Sequence, residues 1–321
     1  MKPAIILASA VFAFLAGPAP AAICNGPAPY SYQVAVKSNA AFASAINELK
    51  KHPVATWYVD NGGDPISPLL AFCGSDTPVI VVYGLPGKDC AAGYSGGGTN
   101  DNAEQYEVWI QALATKIGTK QVIYILEPDA IGLLSNNYCT EQNGYQSNLQ
   151  VAMRILSANA NAKIYADVAS WAIQDNAVSI LKSLGNIAGI AINTSNYMAT
   201  DDMKTLCQMY SAAAGGLHCI IDTSRNYNGS PQNEWCNARS AGIGVPPTSD
   251  TDHPLVDYYL WLKVPGESDG LCYGLSPDSM IGPRAGQFFA EGFKLLWDNG
   301  YFPDHGLPKV SHIDTLNVIT N

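Results

Sequence analysis

Apolar residues in this chain follow two alternating rhythms. Short, nearly unbroken runs rich in Val, Ile and Tyr occupy residues 54–59, 78–83, 121–126, 162–168, 187–193, 217–222 and 258–264. Runs of that length without polar alternation mark strands covered on both faces. Between them apolar residues return every three or four positions. Tyr106, Trp109, Ile110, Leu113 and Ile117 form one such stripe, Leu149, Ala152, Met153 and Leu156 a second, and Ala177, Val178, Leu181 and Leu184 a third. Each is the buried face of a helix. Strands alternating with helices predict a parallel sheet, either a closed barrel or an open doubly wound sheet. The polar residues decide between them. Asp89, Asp129, Asp167, Asp222 and Asp269 cluster with aromatics just beyond the strands. In a β/α barrel all those strand ends meet at one face, the face that carries chemistry. A barrel-like α/β fold is therefore expected.

The first 21 residues stand apart. Lys2 is followed by an apolar run over residues 4–16 and by Gly17-Pro18-Ala19-Pro20-Ala21, which ends in a small-x-small site. That is the layout of a secretory signal peptide, and the run is too short to span a bilayer. The remainder shows no linker, low-complexity tract or repeat, so residues 22–321 are expected to form one domain. Hydrophobic residues make up 47% of the chain and charged ones only 14%, enough apolar material for a large core. The formal net charge of −10 argues against nucleic acid and anionic membranes as partners. The eight cysteines, Cys24, Cys73, Cys90, Cys139, Cys207, Cys219, Cys236 and Cys272, all follow the leader, which reads as four disulfides in a secreted, extracellular protein. Neither a CxxC pair nor an HExxH motif occurs, so no metal or cofactor is expected.

Three strand ends deliver acids. In Ile125-Leu126-Glu127-Pro128-Asp129 a hydrophobic strand runs into two carboxylates separated by proline. Proline fixes its own φ and should keep Glu127 extended. The competing reading is a turn whose acids cap the next helix. A second strand leads through Tyr83 to Lys88, Asp89 and Cys90, and a third through Lys263 to Glu267 and Asp269. Paired carboxylates across one bond are what glycoside hydrolysis requires. One stays protonated through burial or a neighbouring charge, and the other assists a water. Trp57 and Trp235, at strand ends or in loops, offer flat apolar platforms for sugar rings, whereas Trp109 and Trp297 lie in helical patterns and read as core.

These segments resemble glycoside hydrolase family 6, the inverting endoglucanases and cellobiohydrolases. The motifs that carry the resemblance are Tyr83-x-Leu85-Pro86-x-x-Asp89-Cys90, Ile125-x-Glu127-Pro128-Asp129, Asp222-Thr223-Ser224-Arg225-Asn226, Trp235-Cys236-Asn237 and Lys263-x-Pro265-Gly266-Glu267-Ser268-Asp269-Gly270. The resemblance implies a distorted barrel of seven parallel strands that cuts β-1,4-glucan with inversion. It implies Asp129 as proton donor, Asp89 as the second acid that raises the donor's pKa, and Asp269 as the debated catalytic base. Tyr83 resembles the tyrosine that favours a distorted sugar ring, and Ser95 the serine that holds the water. Trp57, Trp235, Lys263 and Glu267 resemble substrate-binding residues, and Asp167 another acid near the donor. Cys90–Cys139 and Cys236–Cys272 match the family's two active-site bridges. Of the remaining four cysteines, Cys207 could pair with nearby Cys219, which would leave Cys24 for Cys73.

The chain departs from the family pattern in two places. Lys88 stands where arginine is usual, and Asp167-Val168-Ala169-Ser170 replaces Asp-Ala-Gly-His, with Trp171 arriving early. That early position argues against a sugar contact from Trp171. Two other classes fit parts of the sequence. Gly93-Tyr94-Ser95-Gly96-Gly97 matches the nucleophile elbow of serine hydrolases, but that elbow must join a strand directly to a helix. A non-catalytic glucan-binding protein would not need all three acids. Only residues 271–282 separate Gly270 from Pro283, shorter than the corresponding roof loop of the cellobiohydrolases. A partly open cleft and endo action are expected, with exo release of cellobiose as the alternative. No attached carbohydrate-binding module is expected, and the protein is expected to be a monomer.

Overall fold

The computed structural model describes residues 22–311; the leader assigned to residues 1–21 lies outside them. Seven strands, β1 (Thr56–Val59), β2 (Val79–Tyr83), β3 (Val122–Leu126), β4 (Ala162–Asp167), β5 (Gly189–Ile192), β6 (His218–Asp222) and β7 (Val256–Leu260), form one sheet. They are parallel and adjacent in chain order. The sheet curls into a half-barrel whose edges meet at a single parallel bridge between Val54 and Trp261. The Ala55 N–H donates to the Trp261 carbonyl at 2.9 Å, and the Trp57 indole donates to the Leu262 carbonyl at 2.8 Å. That seam joins the two edges with one backbone bond and one side chain where a full ladder would have joined them with several.

The helices are α1 (Tyr30–Ser38), α2 (Ala43–Leu49), α3 (Ile66–Cys73), α4 (Ala103–Ile117), α5 (Ala130–Ser135), α6 (Tyr145–Leu156), α7 (Gln174–Ser183), α8 (Thr200–Ala213), α9 (Ala290–Asp298) and α10 (Tyr301–Asp304). Each of the first five strand-to-strand crossovers contains at least one helix, whereas β6 reaches β7 through irregular chain. The three apolar stripes map onto α4, α6 and α7. Alternate residues of each strand serve two cores. Val79, Val81, Ile123, Ile125, Tyr165 and Leu260 fill the barrel, while Ile80, Val82, Tyr124 and Leu126 face the helices. This explains the nearly unbroken runs: both faces are buried over most of each strand, so few positions are left for a polar residue.

The last strand departs from expectation. The predicted run 258–264 leaves the ladder after Leu260. The buried carboxylate of Asp222 accepts the N–H groups of Leu262 at 3.2 Å and Lys263 at 3.1 Å, so a side chain satisfies donors that a neighbouring strand would otherwise take. Trp297 is core as expected, and Trp109 is half-buried, stacked on Tyr58 at 4.3 Å. The disulfides are Cys24–Cys73, Cys90–Cys139, Cys207–Cys219 and Cys236–Cys272.

The two sequons of the sequence, Asn193-Thr194-Ser195 and Asn228-Gly229-Ser230, end in different surroundings. Asn193 is 2% exposed and its amide donates to the carbonyls of Met198 and Asp222. Asn228 is exposed. A glycosylating host should therefore modify Asn228 and never Asn193. Intact-mass analysis with peptide mapping checks this, and any glycan on Asn193 would refute it.

Candidate active site

The strand C-termini open into a cleft of about 810 Å³ lined by Asp89, Asp129 and Asp269, with Trp57, Tyr83 and Lys263 on one wall. The acids are delivered by a backbone that L-residues adopt reluctantly. Asp89, Glu127 and Asp129 have φ of 53°, 48° and 67°. Left-handed conformations at such residues cost free energy and persist only where surrounding contacts enforce them. Glu127 is thus not extended, as its following proline suggested. Its carboxylate takes the N–H groups of Gly84 at 3.0 Å and Leu85 at 3.3 Å, and the Tyr106 hydroxyl at 2.9 Å. These three bonds turn the chain at the end of β3 and tie it to the end of β2. Glu127 is fully buried, so it sets geometry and does not face the cleft. Burial pushes its carboxyl up to about 8 against the pull of those donors.

Asp129 begins α5 but caps nothing with its side chain, which leaves the carboxyl to the cleft. Burial pushes it up to about 7, helped by the charges of Asp89 and Asp269. Its backbone N–H donates to Asp167 at 2.9 Å. Asp167 itself is 2% exposed, is driven well above the usual carboxylate range by burial, and lies behind the cleft wall. Asp89 accepts both the backbone N–H of Ser95 at 2.6 Å and its hydroxyl at 2.9 Å. Ser95 is also 3.0 Å from the Tyr83 hydroxyl. Ser95 lies in a loop without strand or helix, and its hydroxyl faces an acid and a tyrosine. A nucleophile elbow would have placed a histidine there.

Asp269 is held very differently. Arg225 Nη1 donates to its two oxygens at 2.8 and 2.9 Å. The Tyr197 hydroxyl donates at 2.5 Å and the Asn237 N–H at 2.9 Å, and Lys263 Nζ stands 3.7 Å away. Burial alone would raise its pKa; Arg225, then Lys263 and these donors, overcome that and hold it below the ordinary value. Two acids in one cleft are therefore pushed in opposite directions, Asp129 toward the protonated form and Asp269 toward the ion. The sequence did not single out Arg225 or Tyr197 as site residues. Arg225 lies within a family motif, but its partner is 44 residues away, a pairing that no local pattern encodes.

Trp57 meets Tyr83 edge-on at 5.5 Å, with Lys263 Nζ 6.0 Å from its ring. Trp235, 41% exposed, lies 6.0 Å from Tyr94. Trp171, despite its early position, does line the cleft, 42% exposed and 6.5 Å from Tyr138. Its ring lies over Gly132, where a methyl group would meet it at 2.7 Å. Glu267 is not among the lining residues; it bridges to Phe288, and its charge acts on buried Tyr32. Among the described residues no group of His, Cys, Asp and Glu is arranged to hold a metal ion.

Residues 28–300 match the model of the glycosyl hydrolases family 6. Among curated proteins, the chain is 39% identical over 225 residues to endoglucanase A of Cellulomonas fimi, covering 69% of this chain and 47% of that protein. It is 36% identical to endoglucanase A of Thermobispora bispora, covering 60% and 44%. The chain thus spans about half the length of these relatives. Among solved structures, it superposes on the endoglucanase Cel6 of Mycobacterium tuberculosis, in complex with methyl-cellobiosyl-4-deoxy-4-thio-β-D-cellobioside. The TM-score is 0.76 at 27% identity, covering 88% of this chain and 98% of that one.

Proposed function

Because the chain belongs to glycosyl hydrolases family 6, we propose that it is a secreted inverting cellulase whose one catalytic domain cuts β-1,4-glucan internally, with Asp129 as the proton donor. The observation that carries this reading is the opposed pair of acids in one cleft, Asp129 raised to about 7 and Asp269 held below the ordinary value. Environments that push two titratable groups apart give them different work, here a proton donor and a fixed negative charge. In the proposed step a water attacks the anomeric carbon as the glycosidic C–O bond breaks, and Asp129 protonates the departing oxygen. Asp269, with both oxygens on Arg225, is a weak proton acceptor; it serves as a fixed negative charge facing the positive sugar ring of the transition state. The water's proton then passes toward Asp89, with the hydroxyls of Ser95 and Tyr83 as its nearest holders. Trp57, Trp171 and Trp235 supply ring platforms and Lys263 a donor. The short 271–282 loop favours endo over exo cutting, and the two endoglucanase relatives named above, at 39% and 36% identity, point the same way.

The test has two arms. NMR of the first product released from a cello-oligosaccharide should show the α-anomer; the β-anomer would sink inversion and the roles given to the acids. Viscosity of carboxymethyl cellulose should fall early, when few reducing ends have appeared. A fall only in proportion to released cellobiose would leave the cellobiohydrolase alternative.

A further inference from the structure

The Gly-rich loop that presents Ser95 is fixed at its far end by a buried ion pair. Asp60 follows β1 directly, is 4% exposed, and pairs with Lys88 Nζ, itself 5% exposed. The other Asp60 oxygen accepts the N–H groups of Thr99 and Asn100, both at 2.7 Å. The Asp60 carbonyl accepts from the Thr99 N–H at 3.1 Å and from the Thr99 hydroxyl. Asn100 in turn donates its side-chain amide to the Gly84 carbonyl at 2.8 Å. The loop passes directly over this pair, since a methyl group at Gly98 would run into the Asp60 carboxylate and the Lys88 ammonium, and one at Gly96 would sit 3.0 Å from the Lys88 carbonyl. Ser95, between these anchors, makes its bonds to Asp89.

We propose that the Asp60–Lys88 pair is a latch that positions Ser95 for the reaction, while Asp60 itself touches no substrate. The inference rests on the functional reading above. It also accounts for Lys88, whose ammonium is turned to Asp60; among the described residues Asp89 has no cation within ion-pair distance. Asp89 therefore has no ion-pair partner of its own among the described residues, and the loop is held by a different acid from the one that faces the sugar. A breached buried pair leaves an uncompensated charge, and the strain it releases falls on the loop between residues 93 and 99.

The experiment compares Asp60→Asn, Gly98→Ala, Ser95→Ala and the double variant Asp60→Asn/Ser95→Ala on cellotetraose, with thermal melts as a folding control. Displacing a positioned group by about an ångström can cost roughly 100-fold, so each of the first two variants should lower kcat by about 10- to 100-fold. KM should stay within about twofold, because the sugar platforms are untouched. The double variant should match Ser95→Ala within about twofold, since residues acting through one group are not additive. Multiplying losses, or a raised KM with kcat unchanged, would overturn the latch. If Asp60→Asn does not fold, Gly98→Ala, which crowds the pair without removing a charge, decides alone. Wild type inert on every β-glucan would sink the functional reading, whereas active wild type with both Asp60→Asn and Gly98→Ala at full kcat would overturn only the latch.

Discussion

Replacing Asp129 by alanine should lower kcat on unactivated β-glucan by about a thousandfold, the range expected when a positioned general acid is lost. Substrates with good leaving groups need little protonation and should lose far less. The pH profile gives an independent check. Burial and the charges of Asp89 and Asp269 hold the Asp129 carboxyl at about 7, so the competent, protonated form disappears as pH rises through that value. Activity should therefore fall on an alkaline limb near pH 7. A carboxyl whose pKa is raised on folding costs stability once pH exceeds the unfolded value, and the full cost is reached above the folded one. Asp129→Asn removes that charge, so at pH 8 it should melt no lower than wild type while being nearly inactive. A variant that lost activity only because it unfolded would melt lower instead, and the acid assignment would then lack support.

Arg225→Leu should be the most damaging change to stability. The guanidinium and the Asp269 carboxylate are 3% and 9% exposed, and the guanidinium stacks on Tyr197 with 4.3 Å to the ring centroid. Removing one partner of such a pair leaves a buried charge unmatched, at about 3–5 kcal/mol. The sign of the pH dependence follows from Asp269. Its folded pKa is depressed, so the pair stabilises above the unfolded value and that contribution is lost as pH falls through the folded one. The melting gap between wild type and Arg225→Leu should thus be wide at neutral pH and narrow in acid. The double variant Arg225→Leu/Asp269→Asn should recover part of the loss. Equal gaps at both pH values would mean that the arginine acts through packing alone.

Strand and helix order was legible because burial on both faces of a parallel strand leaves few polar positions, and the runs show it directly. The acids at three strand ends were legible because chemistry sits where strands stop. What escaped was tertiary. The left-handed turn at Glu127 depends on donors from Gly84 and Tyr106, 43 and 21 residues away, and these override the local preference that proline imposes. The withdrawal of β7 from its ladder depends on the Asp222 carboxylate reaching 40 residues forward. The motif that contains Glu267 marked it as a sugar ligand, yet its side chain lies outside the cleft lining, near Ser31 and Tyr32 of the N-terminal helix. Residue identity could not reveal which way it turned.

The seam between the first and last strands bears on how the protein behaves at high concentration. An open sheet presents unpaired N–H and C=O groups on its outer strands, and another chain can extend the sheet there. Here the two outer strands face each other, and the Val54–Trp261 bridge closes their meeting point. Further along β7, Thr248 exchanges two backbone bonds with Tyr259, at 3.0 and 2.9 Å, so an irregular segment occupies the row that a foreign strand would need. A half-barrel that leaves room for a wide cleft would ordinarily carry two sticky margins; in this fold one short bridge and one antiparallel patch blunt them, and the chain keeps an open mouth with shortened edges.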